Sequence, residues 1–168
     1  MKTAREKSGR GSRPIRRDRL IKEYEHDTYK SRSKPPEPTV CTECGAVFHK
    51  GRWQWVERPG GAHETLCPAC HRIHDRCPGG YLTLSGPFQQ QHRDEILHLA
   101  RNIEAREKSD HPLCRIMACE NRDDGLLITT TSMAMARSIG DALHHAYKGE
   151  LDYKYTDEAN ILHVDWKR

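Results

Sequence analysis

Two short cysteine-containing stretches, CTECG at residues 41–45 and CPACH at residues 67–71, decide the fold of the chain around them. Each CxxC turn places two sulfur atoms on the same side of a tight backbone turn, so the two turns together can supply four thiolates to one tetrahedral ion. Zinc binding would then provide folding free energy that so short a segment cannot obtain from a hydrophobic core. The spacing predicts one structural Zn²⁺ ion, and its ligands are Cys41, Cys44, Cys67 and Cys70.

The segment between the two cysteine pairs has the pattern of a β-hairpin. Residues 52–57 alternate with period two, and residues 58–62 contain the Pro-Gly-Gly sequence of a turn. The hairpin is therefore expected to end in a strand at residues 63–66. Two cysteine turns joined by a hairpin form a zinc ribbon, which we assign to residues 39–78.

The ribbon also carries aromatic and basic side chains whose role is open. Trp53 and Trp55 are predicted to project from one face of the hairpin, where they either stack on unpaired bases or cover the small metal core. Lys50 and Arg52 would supply positive charge beside them, and the RNA contacts predicted in the ribbon are Lys50, Arg52 and Trp53. Three nearby histidines are expected to neighbour the metal ligands rather than replace them, and these are His49, His63 and His71.

Three further cysteines, Cys77, Cys114 and Cys119, have no partner at ligand spacing, so we interpret them as core-filling or unpaired thiols. The N-terminus lacks the apolar core of a secretory signal, and no apolar run is long enough to cross a bilayer. The chain is therefore expected to be cytoplasmic. In a reducing compartment, its seven cysteines are metal ligands and spare thiols rather than a disulfide framework.

The positive charge of the chain is concentrated at its N-terminal end. Residues 1–38 hold twelve Lys and Arg against six Asp and Glu, a net charge of +6, whereas the whole chain carries +4 and residues 39–168 therefore carry −2. With few apolar residues, this basic arm is expected to be disordered without a partner, apart from a short helix over residues 18–29 and an extended Pro-rich linker at residues 34–38.

A basic arm of this composition is suited to bind a phosphate backbone, although a merely solubilising tail is the alternative. The arginines predicted to pair with phosphates of RNA are Arg10, Arg13, Arg16, Arg17 and Arg19.

Residues 79–168 are predicted to form an α+β domain with a small mixed or antiparallel sheet covered by two helices. The predicted strands cover residues 79–85, 113–119, 126–131, 151–155 and 162–166. The predicted helices run from Pro87 to about Lys108 and from Ser132 to Tyr147, and both have apolar residues at the spacing of one buried face. Turns are expected at residues 123–125 and 157–160.

Other chemistry of the cysteines is disfavoured. Covalent haem attachment through a CxxCH sequence follows export, and a zinc deaminase needs a His-x-Glu set well upstream of its cysteine pair. A thioredoxin-like role would not require two facing pairs. A His-Asn-His nuclease could use His71, His74 and Asp75, but no second half of that site follows. The protein is therefore not expected to be an enzyme.

Several motifs resemble a known family. Residues 67–72, 79–81 and 124–128, with the following Ala136-Arg137, resemble the zinc-binding N-terminal region of the nonsense-mediated-decay-three (Nmd-three) proteins of eukaryotes and archaea. Those proteins bind the large ribosomal subunit, and the eukaryotic members are its export adaptors. This distant resemblance covers roughly residues 41–166.

A second resemblance covers nearly the full length. The sequence REKSGRGSR at residues 5–13 and FHKGRW at residues 48–53 resemble a bacterial family of uncharacterised small zinc-ribbon proteins. The Nmd-three proteins have more CxxC pairs, and the eukaryotic ones have further ribosome-contacting domains. The resemblance therefore implies ribosome binding but neither export nor a particular ribosomal site.

Together these observations favour a zinc-ribbon RNA-binding protein that associates with the ribosome, specifically its large subunit, as an assembly, hibernation or quality-control factor. The expected partners are ribosomal RNA and adjoining ribosomal proteins, with no membrane and no small-molecule substrate. Two alternatives are a protein–protein adaptor with a zinc ribbon and a DNA-binding regulator of transcription.

Overall fold

The computed structural model describes Tyr29 and residues 33–156 and 160–168, and it has the α+β architecture that the sequence predicts. We call residues 39–78 the ribbon and residues 79–168 the α+β unit. Each contains one β-sheet, and the cysteine cluster lies in the ribbon.

Several predicted features lie outside the described residues. They are the five arginines of the arm, the short helix over residues 18–29 except for Tyr29, and the turn at residues 157–159. The predictions made for them stay predictions.

The ribbon contains a four-stranded sheet of very short strands in the order β3-β2-β1-β4, followed by one helix. The strands are β1 (Thr39–Cys41), β2 (Val47–His49), β3 (Arg52–Gln54) and β4 (His63–Thr65). The helix is α1 (Pro68–Asp75). Strand β2 is antiparallel to β1 and to β3, whereas β4 is parallel to β1.

The predicted hairpin between the cysteine pairs is wrong in its pairing. Strand β3 pairs with β2 rather than with β4, and it ends at Gln54. The carboxylate of Glu37 accepts hydrogen bonds from the backbone N–H groups of Lys50 at 2.8 Å and Gly51 at 2.9 Å, which stabilises a tight turn between β2 and β3. Trp55 leaves the sheet because its indole N–H donates to the carbonyl of Lys108 at 2.6 Å.

The α+β unit contains a five-stranded mixed sheet in the order β6-β7-β5-β9-β8. Its strands are β5 (Gly80–Ser85), β6 (Ile116–Arg122), β7 (Gly125–Thr130), β8 (Glu150–Thr156) and β9 (Ile161–Lys167). Its helices are α2 (Pro87–Gln91), α3 (Arg93–Asp110) and α4 (Met133–Tyr147). The central pair β5 and β9 is parallel, and the other pairs are antiparallel.

The predicted helix from Pro87 to Lys108 is in fact two helices, which are interrupted at His92. His92 has φ −115° and ψ 26°, outside the helical region. Its ring stacks on Phe88 with centroids 4.1 Å apart, and Phe88 packs against the core. The turn predicted at residues 123–125 is present, since β6 ends at Arg122 and β7 begins at Gly125.

One hydrophobic core joins the sheet of the α+β unit to its two long helices. Strands β5, β7 and β9 contribute alternate residues to it, as period two requires. Helix α4 comes so close to β5 that a Cβ atom at Gly80 would lie 2.5 Å from the Cβ of Ala136. The buried residues are Leu82, Leu84, Ile96, Ala100, Ile103, Ile116, Leu126, Ile128, Met135, Ala136, Ile139, Leu143, Leu162, Val164 and Trp166.

The ribbon contacts the α+β unit at the end of α3 and at the connection from α3 to β6. Besides the bond from Trp55 to Lys108, Leu113 packs against the cysteine cluster. The backbone N–H of Gly79 donates to the carbonyl of Thr130 at 2.9 Å, which aligns β5 with the end of β7.

Among the described helices, none has the length and apolar character that crossing a membrane requires.

Candidate metal centre

The first cysteine pair lies in a tight turn at the end of β1. The N–H of Gly45 donates to the carbonyl of Cys41 at 3.0 Å, and the N–H of Cys41 donates to the carbonyl of Ala46 at 2.8 Å. Gly45 has φ +77°, which only glycine adopts without strain. This turn directs Cys41 and Cys44 toward one point.

The second pair lies at the start of α1, where Cys67 is the N-cap residue. Its sulfur accepts a hydrogen bond from the N–H of Cys70 at 3.3 Å, and Pro68 occupies the first turn of the helix. The parallel pairing of β1 with β4 aligns Cys41 with Thr65, which brings Cys67 beside Cys41. The N–H of Cys67 then donates to the Cys41 sulfur at 3.3 Å.

The four cysteines are positioned to hold one metal ion. Their sulfur atoms all lie within 4.8 Å of one another, and Cys41, Cys67 and Cys70 are buried while Cys44 is half-buried. The sulfurs of Cys44 and Cys67 are 3.8 Å apart. A tetrahedral site with Zn–S bonds of about 2.3 Å requires S–S distances of about 3.8 Å, so the cluster fits zinc. Four sulfur ligands would complete a tetrahedral coordination, as they do in structural zinc sites.

An arginine from the α+β unit reaches the same cluster. Arg115 lies just before β6, is only 8% exposed and directs its guanidinium group at three of the four sulfurs. Nη1 donates to Cys70 at 3.2 Å, and Nη2 donates to Cys44 at 3.2 Å and to Cys67 at 3.5 Å. The centre therefore contains a fixed positive charge beside its thiols.

Burial and hydrogen bonding set the protonation of these groups in opposite directions. Burial acts to raise the pKa of Cys41, but backbone N–H groups of Cys44, Cys67 and Glu43 lower it to about 7. Burial raises the pKa of Cys70 to about 11 and also raises that of Cys67. Burial alone would lower the pKa of Arg115, yet its bond to Cys70 and the nearby thiolate charges raise it. Arg115 thus keeps its charge.

The basic residues predicted in the ribbon lie at the turn between β2 and β3. Lys50 and Arg52 are both exposed there, on either side of Gly51. Trp53 is half-buried, packs against the cysteine cluster and lies 5.6 Å from the ring of Phe48. Trp55 is 39% exposed even with its indole N–H bonded to Lys108. The geometry thus places Trp53 over the metal centre, and RNA contact by these four residues stays a prediction.

The histidines near the cysteine pairs are outside the sulfur cluster. His71 lies on α1 with Nε2 3.4 Å from the carboxylate of Asp75, and the hydroxyl of Tyr29 donates to the same carboxylate at 3.1 Å. The rings of Tyr29 and His71 meet edge to face at 5.1 Å. Arg72 covers the ring of Tyr29 at 4.6 Å. Tyr29 therefore attaches the end of the basic arm to the helix that carries Cys70.

The three remaining cysteines occupy different environments. Cys77 is exposed, whereas Cys114 and Cys119 are half-buried and pack against the core of the α+β unit. Burial raises the pKa of both of these half-buried thiols. The Cys114 sulfur lies 3.7 Å from the hydroxyl of Ser132, the N-cap residue of α4.

Sequence reasoning identified all four cysteines of the cluster but missed Arg115 and helix α1. The Cys-Pro sequence at residues 67 and 68 is a recognisable helix start, and it was available as a signal for α1. A single arginine forty-five residues after Cys70 has no such signal, because only the tertiary fold brings it to the cluster.

Comparison of the chain with models of known protein families, with curated proteins and with solved structures gives no match. The description of the metal centre therefore rests on its own geometry.

Proposed function

We propose that the protein is a non-enzymatic zinc-ribbon protein that binds RNA and associates with the ribosome in the cytoplasm, through the large subunit. Its partners are ribosomal RNA and adjoining ribosomal proteins. Zinc has a structural role in this proposal, since four thiolates leave no coordination position for a substrate.

The observation that carries the proposal is the way the basic arm joins the ribbon. The arm and its linker, residues 1–38, carry a net charge of +6. Glu37 at the end of this segment bonds the backbone of Lys50 and Gly51 and so holds the linker against the exposed basic turn. Tyr29 attaches the arm to α1 as well. Positive charge from the arm and from the turn can therefore face one polyanion, and phosphate contacts of this kind dominate RNA affinity.

Sedimentation of a cell lysate on a sucrose gradient tests this function. We expect the full chain to migrate with large ribosomal subunits at low salt and to move to the top of the gradient as salt increases. If the protein stays at the top in both growing and stationary cells, ribosome association is overturned.

A set of arm variants tests which charges carry the binding. The Gln variant replaces all five arginines of the arm by glutamine, and the matched Lys variant replaces the same five by lysine and so keeps the charge. The five are Arg10, Arg13, Arg16, Arg17 and Arg19. With purified ribosomes, the Gln variant should lose most of its binding affinity. A plot of log association constant against log salt concentration should also become less steep, by about 4 if each arginine contacts one phosphate. The Lys variant should retain most of both.

The alternatives give different outcomes. A protein–protein adaptor would keep its complexes after ribonuclease treatment and after the arginine changes. A DNA-binding regulator would prefer duplex DNA to structured RNA in direct competition. Either result would replace the RNA-binding proposal.

A further inference from the structure

The guanidinium group of Arg115 is placed where an isolated positive charge would be unfavourable. The residue is 8% exposed, and within the described residues no carboxylate lies at ion-pair distance from it. Burial of a charge without a partner is strongly unfavourable, as is the removal of one member of a buried charge pair. The partners of Arg115 are instead the sulfurs of Cys44, Cys67 and Cys70.

The hydrogen bonds to the sulfurs are divided between the ribbon and Arg115. Backbone N–H groups of the ribbon donate to Cys41 and Cys67. Arg115 donates to Cys44 and Cys70 and adds a further bond to Cys67. The ribbon and the α+β unit thus both contribute donors to the cluster.

A nearby positive charge would stabilise the negatively charged zinc–thiolate cluster. Four thiolates around one Zn²⁺ ion would give a net charge of −2, which is costly in a buried place. One guanidinium group reduces this charge to −1. The planar fork of arginine suits this task because it can direct several N–H groups at separate acceptors, whereas lysine offers a single ammonium group.

The backbone of Arg115 is fixed in the α+β unit. Its N–H donates to the hydroxyl of Thr131 at 3.0 Å, and its carbonyl accepts from the N–H of Thr131 at 2.9 Å. Its Nε donates to the carbonyl of Pro112 at 2.8 Å. The residue is therefore held at both ends, at its backbone by Thr131 just after β7 and at its guanidinium group by the sulfur cluster.

We propose that Arg115 is a positioning residue of the metal centre, which orients and partly neutralises the zinc–thiolate cluster and couples metal binding to the stability of the α+β unit. This inference concerns the metal centre and does not depend on RNA binding. Removal of the metal would release the four sulfurs from a fixed arrangement, and the buried guanidinium group would lose the aligned acceptors that it has in Cys44, Cys67 and Cys70. The α+β unit should therefore lose stability although none of its own residues is a ligand.

Zinc competition in the full chain tests the first half of the proposal. Arg115→Leu removes the charge and the fork, Arg115→Lys keeps the charge alone, and Arg122→Leu is the control because it lies exposed at the other end of β6. Against a chromophoric chelator, Arg115→Leu should bind zinc about ten- to hundredfold more weakly, as for other groups that orient metal ligands. Arg115→Lys should fall between the wild type and Arg115→Leu, and the control should match the wild type.

Urea unfolding of the α+β unit, with and without zinc, tests the coupling. NMR amide signals of α4 report the unfolding of this unit. They should show that zinc raises its free energy of unfolding in the wild type and in Arg122→Leu but not in Arg115→Leu. A two-dimensional NMR spectrum will establish that the Arg115→Leu α+β unit is folded. Should it be unfolded, the same comparison is made with Arg115→Lys, in which the zinc-dependent stabilisation must be reduced.

Two results would overturn the inference. One is a zinc affinity of Arg115→Leu within twofold of the wild type. The other is an equal zinc-dependent stabilisation of the α+β unit in the wild type and the Arg115 variants.

Discussion

The ribbon and the α+β unit are stabilised by different means. The four strands of the ribbon have three residues each, and three of its eight buried hydrophobic residues are the cysteines Cys41, Cys67 and Cys70. The α+β unit has strands of six or seven residues and a continuous core of fifteen buried residues. Apolar burial therefore dominates the stability of the α+β unit, whereas the ribbon would depend on metal binding for most of its stability.

Metal removal should produce the largest separation between the two regions. Chelation of zinc, or Cys67→Ser, should unfold the ribbon, because structural zinc contributes about 10–16 kcal/mol in small zinc domains. NMR amide signals of residues 39–78 should lose their dispersion, while those of α4 persist in a less stable α+β unit.

Cys77→Ser is the matched control, since Cys77 is exposed and lies outside the sulfur cluster. It should leave the spectrum and the zinc stoichiometry unchanged. If chelation abolished the signals of both regions together in the absence of denaturant, the two regions would not differ in their dependence on the metal.

Truncation of a core residue should destabilise the α+β unit and leave the ribbon largely unaffected. Leu143 on α4 is fully buried, so Leu143→Ala should lower the free energy of unfolding of this unit by about 2–5 kcal/mol. Urea titration followed by far-ultraviolet circular dichroism measures the change. Zinc affinity should change far less than in the cysteine variant.

The control for this change is His144→Ala, an exposed substitution at the next position of the same helix. We expect a change within about 0.5 kcal/mol. A loss of less than about 1 kcal/mol for Leu143→Ala would contradict the assignment of this residue to a close-packed core.

The smallest expected effect belongs to the contact between the two regions. Trp55→Phe removes the 2.6 Å hydrogen bond to the carbonyl of Lys108, near the end of α3, and should cost about 0.5–1.5 kcal/mol. Zinc-bound protein should show faster hydrogen exchange at the end of α3 and around residue 55. Val56→Ala, at an exposed neighbour, should show neither change. Identical exchange in wild type and Trp55→Phe would mean that this bond does not hold the ribbon to α3.

Local patterns predicted most of the α+β unit. Ser132 accepts the hydrogen bond of an N-cap from the N–H of Met135, and α4 follows it as its apolar spacing indicates. In the last hairpin, Leu151 pairs with Trp166 and Tyr153 pairs with Val164, as period-two alternation on both strands predicts. The four clustered cysteines could be predicted equally well, because CxxC spacing reports a local geometry.

The features that sequence reasoning missed depend on distant partners. The pairing of β4 with β1 is parallel and non-local, so the alternation within residues 52–57 could not reveal it. Trp55 continues that alternation but turns away to bond Lys108, more than fifty residues later. Arg115 likewise has no local signal. The three cases share one cause, namely contacts between segments that are distant in the sequence and that only the folded chain brings near.

The position of β9 has a consequence for the order in which the protein can be made. This strand lies inside the five-stranded sheet, between β5 and β8, yet it follows all the other described strands in the sequence. During synthesis, β5 must wait for residues 161–167 before it gains its parallel neighbour, and such non-local pairing is slow. The cysteines of the ribbon emerge long before then and can capture zinc first. The metal centre would thus mature in two steps, first by capture on the nascent ribbon and then by engagement of Arg115 when the sheet closes.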